Sequence, residues 1–171
     1  MIPLIMFTIL SSITFMVLYP YFGILLWVQY LLIMLVTIVG EQIVSSWGYY
    51  HYTDKNRFFF SNIPASIPFF WVFFIQFSLI ISRLFFTSDL LIVFFSALLT
   101  LALDLVLIEP YLSRKKGFWT WIPKENGMFR FVPGRVNRFT APFGNYFTWF
   151  VLPFLMNALL MFGVKYSGIC L

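Results

Sequence analysis

Three carboxylates stand inside long apolar stretches of this chain: Glu41, Asp104 and Glu109. An ionisable side chain within a hydrophobic span costs about 3 kcal/mol even on the lower, insertion-based scales, so its default reading is functional. The bland reading of Glu41 or Asp104 is an ion pair that steadies a bundle, but Arg83 is expected near the opposite end of its own span and makes a poor partner by depth. Glu109, directly before Pro110, reads first as a solvated helix end, and Asn145, directly after Gly144, also reads as a helix cap. The only histidine, His51, sits between tyrosines as headgroup-level residues do. With no H-x-x-x-H or H-x-x-H-H pair anywhere, no metal site is expected. Phosphate-binding loops, dinucleotide fingerprints and nucleophile elbows are likewise missing from the sequence. What remains is acid–base chemistry at lipid depth.

The elements that must position these groups are set by composition. Of 171 residues 61% are hydrophobic and 10% charged, with a mean hydropathy of +0.92. Too little polar side chain is present to cover a water-soluble surface, so an all-α integral membrane protein is expected. Five spans follow, at about 1–19, 21–46, 63–86, 90–109 and 145–166, in one helical domain over 1–171. The first has no basic leader and no small-residue cleavage site, and reads as a retained span. Pro20 is expected to end span one and Pro110 span four, while Pro64 and Pro68 fall in the first turns of span three, where proline costs little. Ser88 or Asp89 is the expected N-cap of span four. Between spans four and five, Asn126-Gly127 lies between runs of alternating large residues, which predicts a short β-hairpin at the membrane surface. The one cysteine, Cys170, excludes an intrachain disulfide.

Charge orients the bundle. Nine of the eleven Lys and Arg residues fall in the loops after spans two and four, and the other two are Arg83 and Lys165. By the positive-inside rule the N-terminus and long loops face the cytoplasm and the C-terminus faces out, in a multi-pass cell-membrane protein. The basic loops meet anionic lipid headgroups, and no nucleic-acid partner is implied. Spans two and four then descend to the same side, so Glu41 and Asp104 share a level about 7 to 8 Å inside it at about 1.5 Å per residue. Asp104 and Glu109, five residues apart on an α-helix, diverge by about 140°, so at most one can aim at the centre.

Four blocks carry a resemblance: E-x6-G-Y-Y-x-Y from Glu41 to Tyr52, I-P-A-S-I-P-F-F-W from Ile63 to Trp71, A-L-D-L-x3-E-P-x6-G-F-W-T-W from Ala102 to Trp121, and A-P-F-G-N-Y-F-T-W-F from Ala141 to Phe150. In this order they resemble the signature blocks of the carotenoid biosynthesis membrane proteins, a family that includes γ-carotene hydratase and bisanhydrobacterioruberin hydratase. The resemblance implies addition of water to the terminal C=C of an acyclic carotenoid in a prokaryotic cell membrane, with no cofactor and a long apolar polyene or isoprenoid as substrate. A carboxyl that keeps its proton in an apolar bundle can protonate the alkene, and aromatic faces can stabilise the resulting tertiary cation. On that reading Asp104, the deeper member of its helix, is the acid, Glu41 the base and Asn145 the group that holds the water. Trp71, Trp121, Trp149, Tyr50 and Glu109 line the substrate site. Two other classes stay open: a non-catalytic subunit or pigment-binding scaffold working with other membrane subunits, and, less well supported, a transporter of a lipid-like solute. The discriminating feature is whether the buried carboxylates face one cavity.

Overall fold

The computed structural model describes residues 2–123 and 141–167, with side chains up to 165. Five helices long and apolar enough to cross a membrane dominate it: α1 (Ile2–Phe22), α2 (Ile24–Ser46), α3 (Ile67–Phe85), α4 (Asp89–Leu103) with its continuation Asp104–Lys115, and α5 (Phe143–Ser167). The all-α bundle expected from composition is therefore the fold. Helix α3 is the most enclosed and packs against the other four. Leucine, isoleucine, valine and phenylalanine cover the outer faces of the remaining helices, as a hydrocarbon surround demands.

Prolines explain the differences from the expected boundaries. Helix α1 runs past Pro20 to Phe22 and stops at Gly23, whose φ of 51° belongs to the left-handed region where glycine is favoured. Pro64 is not in a helix: it pairs with Phe59 in a small ribbon of β2 (Phe59–Phe60) and β3 (Ile63–Pro64), and α3 begins after it, with Pro68 in its first turn. Ser88 is the N-cap of α4, one of the two residues expected there.

The largest difference is at Pro110. The helix does not end there but continues to Lys115 in π-helical turns from Asp104 onward. In an α-helix the proline ring would strike the carbonyl four residues back, Val106; the wider i→i+5 turn relieves that clash and absorbs the missing N–H. Widening also changes which residues share a face. Five residues now make close to one turn, so Asp104 and Glu109 both point inward, buried to 0% and 3% exposure. The expectation that at most one could do so held only for α geometry.

Two strands cap the end of the bundle where α2 and the π-helical turns finish. β1 (Tyr50–Tyr52) pairs antiparallel with β4 (Trp119–Trp121), in the register Tyr50↔Trp121, His51↔Thr120 and Tyr52↔Trp119. The predicted hairpin turn at Asn126-Gly127 lies outside the described residues. The first arm expected for it is β4, and its partner is β1, from the other long loop.

A second polar layer links all five helices in the half of the bundle away from this ribbon. Thr14 donates to Gln76 (2.9 Å), Gln76 to Gln29 (3.4 Å), Gln29 to Asn157 (2.9 Å) and Asn157 to Ser96 (2.9 Å). Every member is uncharged and buried. Beyond it, at the end far from the ribbon, Lys165 forms an ion pair with Asp89, and the Arg83 guanidinium lies over the rings of Tyr21 and Phe22. Arg83 is thus at the opposite end from the three buried carboxylates.

Candidate functional site

Alternation along a strand puts Tyr50 and Tyr52 on one face of β1, and Trp119 and Trp121 on the same face of β4. His51 and Thr120 occupy the outer face, and His51 is exposed. The inner face carries four polar-tipped aromatics, and each tip meets a carboxylate. Both phenols donate to Glu41 Oε2, that of Tyr52 at 2.9 Å, while Trp71 from α3 donates its indole N–H to Glu41 Oε1 at 3.0 Å. Across the ribbon, Trp119 and Trp121 donate to the two oxygens of Glu109 at 3.1 and 3.0 Å. Aromatic N–H and O–H groups thus serve where a surface carboxylate would have water or a cation. Among the described residues, neither carboxylate is within ion-pair distance of a Lys or Arg.

Between these groups lies a cavity of about 40 Å³, room for one to a few waters. Glu41, Glu109, Asn145 and the edges or faces of Trp71, Trp119, Trp121 and Trp149 line it, with Tyr50 and Tyr52 above. Trp71 and Trp149 stack at 3.9 Å between ring centroids with planes 15° apart, forming one aromatic wall. Burial pushes the Tyr52 phenol well above the ordinary tyrosine range, and the hydrogen bond it donates to Glu41 adds to it. Tyr52 is therefore a proton donor throughout the neutral range.

Asp104 is one step removed. It is fully buried and accepts a 2.8 Å bond from Asn145 Nδ2, but it does not line the cavity, and its second oxygen has no partner among the described residues. Asn145 lies in the first turn of α5, where its backbone N–H bonds Pro142, and its side chain joins Asp104 to the cavity. Of the residues expected to form a site, Glu41, Glu109, Asn145, Tyr50, Trp71, Trp121 and Trp149 share one cavity, and Asp104 stands behind Asn145. Glu109, which the sequence suggested as a solvated end, faces the cavity because the π-helical turns bring it there. Tyr52 and Trp119 were missed as site residues. Their signal was the period of two from Tyr50 and Trp121, legible once both segments are read as strands.

A second, larger cavity of about 190 Å³ adjoins the first and shares Glu41, Tyr50, Trp71, Trp121 and Asn145 with it. It extends as a groove between α2 and α5, walled by Val36, Thr37, Gly40 and Val44 on one side and by Gly144, Thr148 and Leu152 on the other. Glu109 touches only the small chamber; Glu41 and Asn145 touch both. Two carboxylates, a chamber of water size and an apolar groove therefore meet at one point. Among the described residues, no three His, Cys, Asp or Glu side chains come together as a metal site requires.

No curated protein and no solved structure matches the chain. The profile of one family, described as carotenoid biosynthesis protein, matches residues 2–169, nearly the whole chain. Lipid-depth carboxylates beside a hydrocarbon-sized groove suit a pathway whose intermediates dissolve only in the bilayer, and this multi-pass membrane protein belongs to the carotenoid biosynthesis protein family.

Proposed function

We propose that the protein hydrates the terminal C=C of an acyclic carotenoid, with Glu41 and Glu109 as the working pair of carboxyls. The observation that carries this reading is that both face one water-sized chamber at the end of an apolar groove. Glu41 touches the groove and so meets the alkene first; as a carboxylic acid it gives its proton to the less substituted alkene carbon, and the C=C electrons form the new C–H bond. The positive charge left on the tertiary carbon faces the Trp71–Trp149 wall, where cation–π attraction contributes about 0.5 to 2 kcal/mol. Water in the chamber adds to that carbon, and Glu109 takes the proton that water sheds. The product is a tertiary alcohol. The proton on Glu109 returns to Glu41 through the chamber, so atoms and charge balance with no cofactor. Asn145 orients the water, and Asp104, through its bond to Asn145, holds that amide in place.

Pigment analysis by mass spectrometry tests this in a host that makes acyclic carotenoids. The wild-type chain is expected to add one water per processed end. Glu109→Gln and Glu41→Gln each remove an acid–base group and are expected to reduce product by about 100-fold or more. Asp104→Asn is expected to have a smaller effect. Well-inserted wild-type protein that binds pigment but forms no alcohol would instead support a pigment-binding scaffold.

A further inference from the structure

Helices α2 and α5 are held together at one end and parted at the other. Far from the site, the Gly163 position on α5 would place a Cβ only 3.6 Å from Leu25 of α2, ordinary packing contact, and one to two turns inward Gln29 bonds Asn157. At the site end the small residues do not serve close approach. A Cβ on Gly40 would meet nothing within 4 Å, so the space that glycines normally give to a neighbouring helix is left open as the groove. From Val36 to Val44 the groove follows α2 for about 12 Å at about 1.5 Å per residue. Val36 at its mouth is 39% exposed, so this end of the groove reaches the outer surface of α2. Glu41 lies on the groove wall, about 7.5 Å along α2 from Val36 at about 1.5 Å per residue.

We propose that this α2–α5 groove is the lateral entry and binding channel for the hydrocarbon body of the polyene, and that Gly40 sets its bore. The proposal rests on the hydration reading for what happens at the inner end, but not for the binding itself. The wall chemistry fits a hydrocarbon: between its aliphatic mouth at Val36 and the carboxylate, the polar atoms α2 and α5 offer are the hydroxyls of Thr37 and Thr148, and that of Thr148 is already bonded to the Gly144 carbonyl at 2.9 Å. An anionic ligand would find no counter-charge among the lining residues, and a strongly hydrated one few polar partners. An extended apolar chain leaves the bilayer without crossing water and presents only its end to Glu41.

Gly40→Leu places its Cβ in open space, extends its side chain into the groove and replaces glycine in a helix interior by a better helix former, so the fold should survive it. The test measures two quantities on the full chain, purified in detergent from a host producing lycopene: polyene retained per protein, and hydrated product. Expected is retention of lycopene by wild type and a loss of about tenfold or more in Gly40→Leu, the order that overfilling a packed site costs. Leu31→Trp, which adds bulk on the lipid-facing side of α2 and not in the groove, should retain the pigment. Loss of product in step with loss of pigment supports both readings. Retention of lycopene by wild type, its loss in Gly40→Leu and no alcohol from either would uphold the channel and overturn the hydratase. Equal retention and turnover in wild type and Gly40→Leu, or no retention by wild type, overturns the channel whatever the chemistry. Should Gly40→Leu fail to insert, Val36→Trp at the mouth decides by the same two readouts.

Discussion

Glu41 and Glu109 are each reached by aromatic donors. Tyrosine and tryptophan suit that task because their bodies are apolar and their tips donate, so the donors bring no countercharge and little water with them. The Tyr52 phenol gives a direct reading of this enclosure. Its pKa is raised in the folded state, chiefly by burial and further by Glu41. The sign follows: the folded state is at full stability below the ordinary tyrosine range and loses stability as pH rises from there through the raised folded value. In an alkaline ultraviolet titration, wild type minus Tyr52→Phe should show no phenolate absorbance across the ordinary tyrosine range, with the signal arriving later or on unfolding. Phenolate in the ordinary range would place Tyr52 in water, away from Glu41.

At the scale of elements, the π-helical turns after Asp104 decide which carboxyls the cavity receives. Pro110→Ala removes the clash that disfavours the α form, so the segment is expected to tighten and turn Glu109 away from Trp119 and Trp121. Loss of one hydrogen bond to a charged group costs about 1.5 to 3 kcal/mol, so turnover should fall at least about tenfold, with a matching change in near-ultraviolet circular dichroism. Unchanged spectra and turnover would show that the segment keeps its form without the proline. The uncharged polar layer has a different role. Gln29→Leu leaves Asn157 and Gln76 each short of a partner, and interhelical hydrogen bonds in membranes are worth about 0.6 kcal/mol on average, up to about 1.7. A loss of about 1 kcal/mol is expected in denaturant unfolding in micelles, with pigment chemistry retained. No loss would mean that packing alone sets the helix register.

For the whole molecule, the site and its ribbon lie at one end, with Lys55, Arg57 and Arg114 to Lys116 near them; Arg83 and Lys165 lie at the other. We infer from this asymmetry that the site end is cytoplasmic. A membrane-impermeant maleimide should then label native Cys170 in intact cells. In a Cys170→Ser background, Lys116→Cys should be labelled only after lysis. The reverse pattern would invert the orientation and place the carboxylate-lined chamber on the outer side.

How much of this was legible beforehand depends on the range of the forces involved. Span number, an all-helical membrane fold and the suspect residues Glu41, Asp104 and Glu109 follow from the sequence alone, because hydrocarbon thickness and the cost of burying charge act on each stretch separately. The family blocks from Glu41 to Phe150 were readable for the same reason: they are local. Only the tertiary structure decided which groups meet. The turn geometry around Pro110 carries Glu109 into the cavity, the backbone pairing of β1 with β4 joins segments almost seventy residues apart and sets the donors of Glu41 beside those of Glu109, and the parting of α2 from α5 opens the groove at Gly40. Those outcomes depend on how neighbouring helices fill or leave space, which no local pattern encodes.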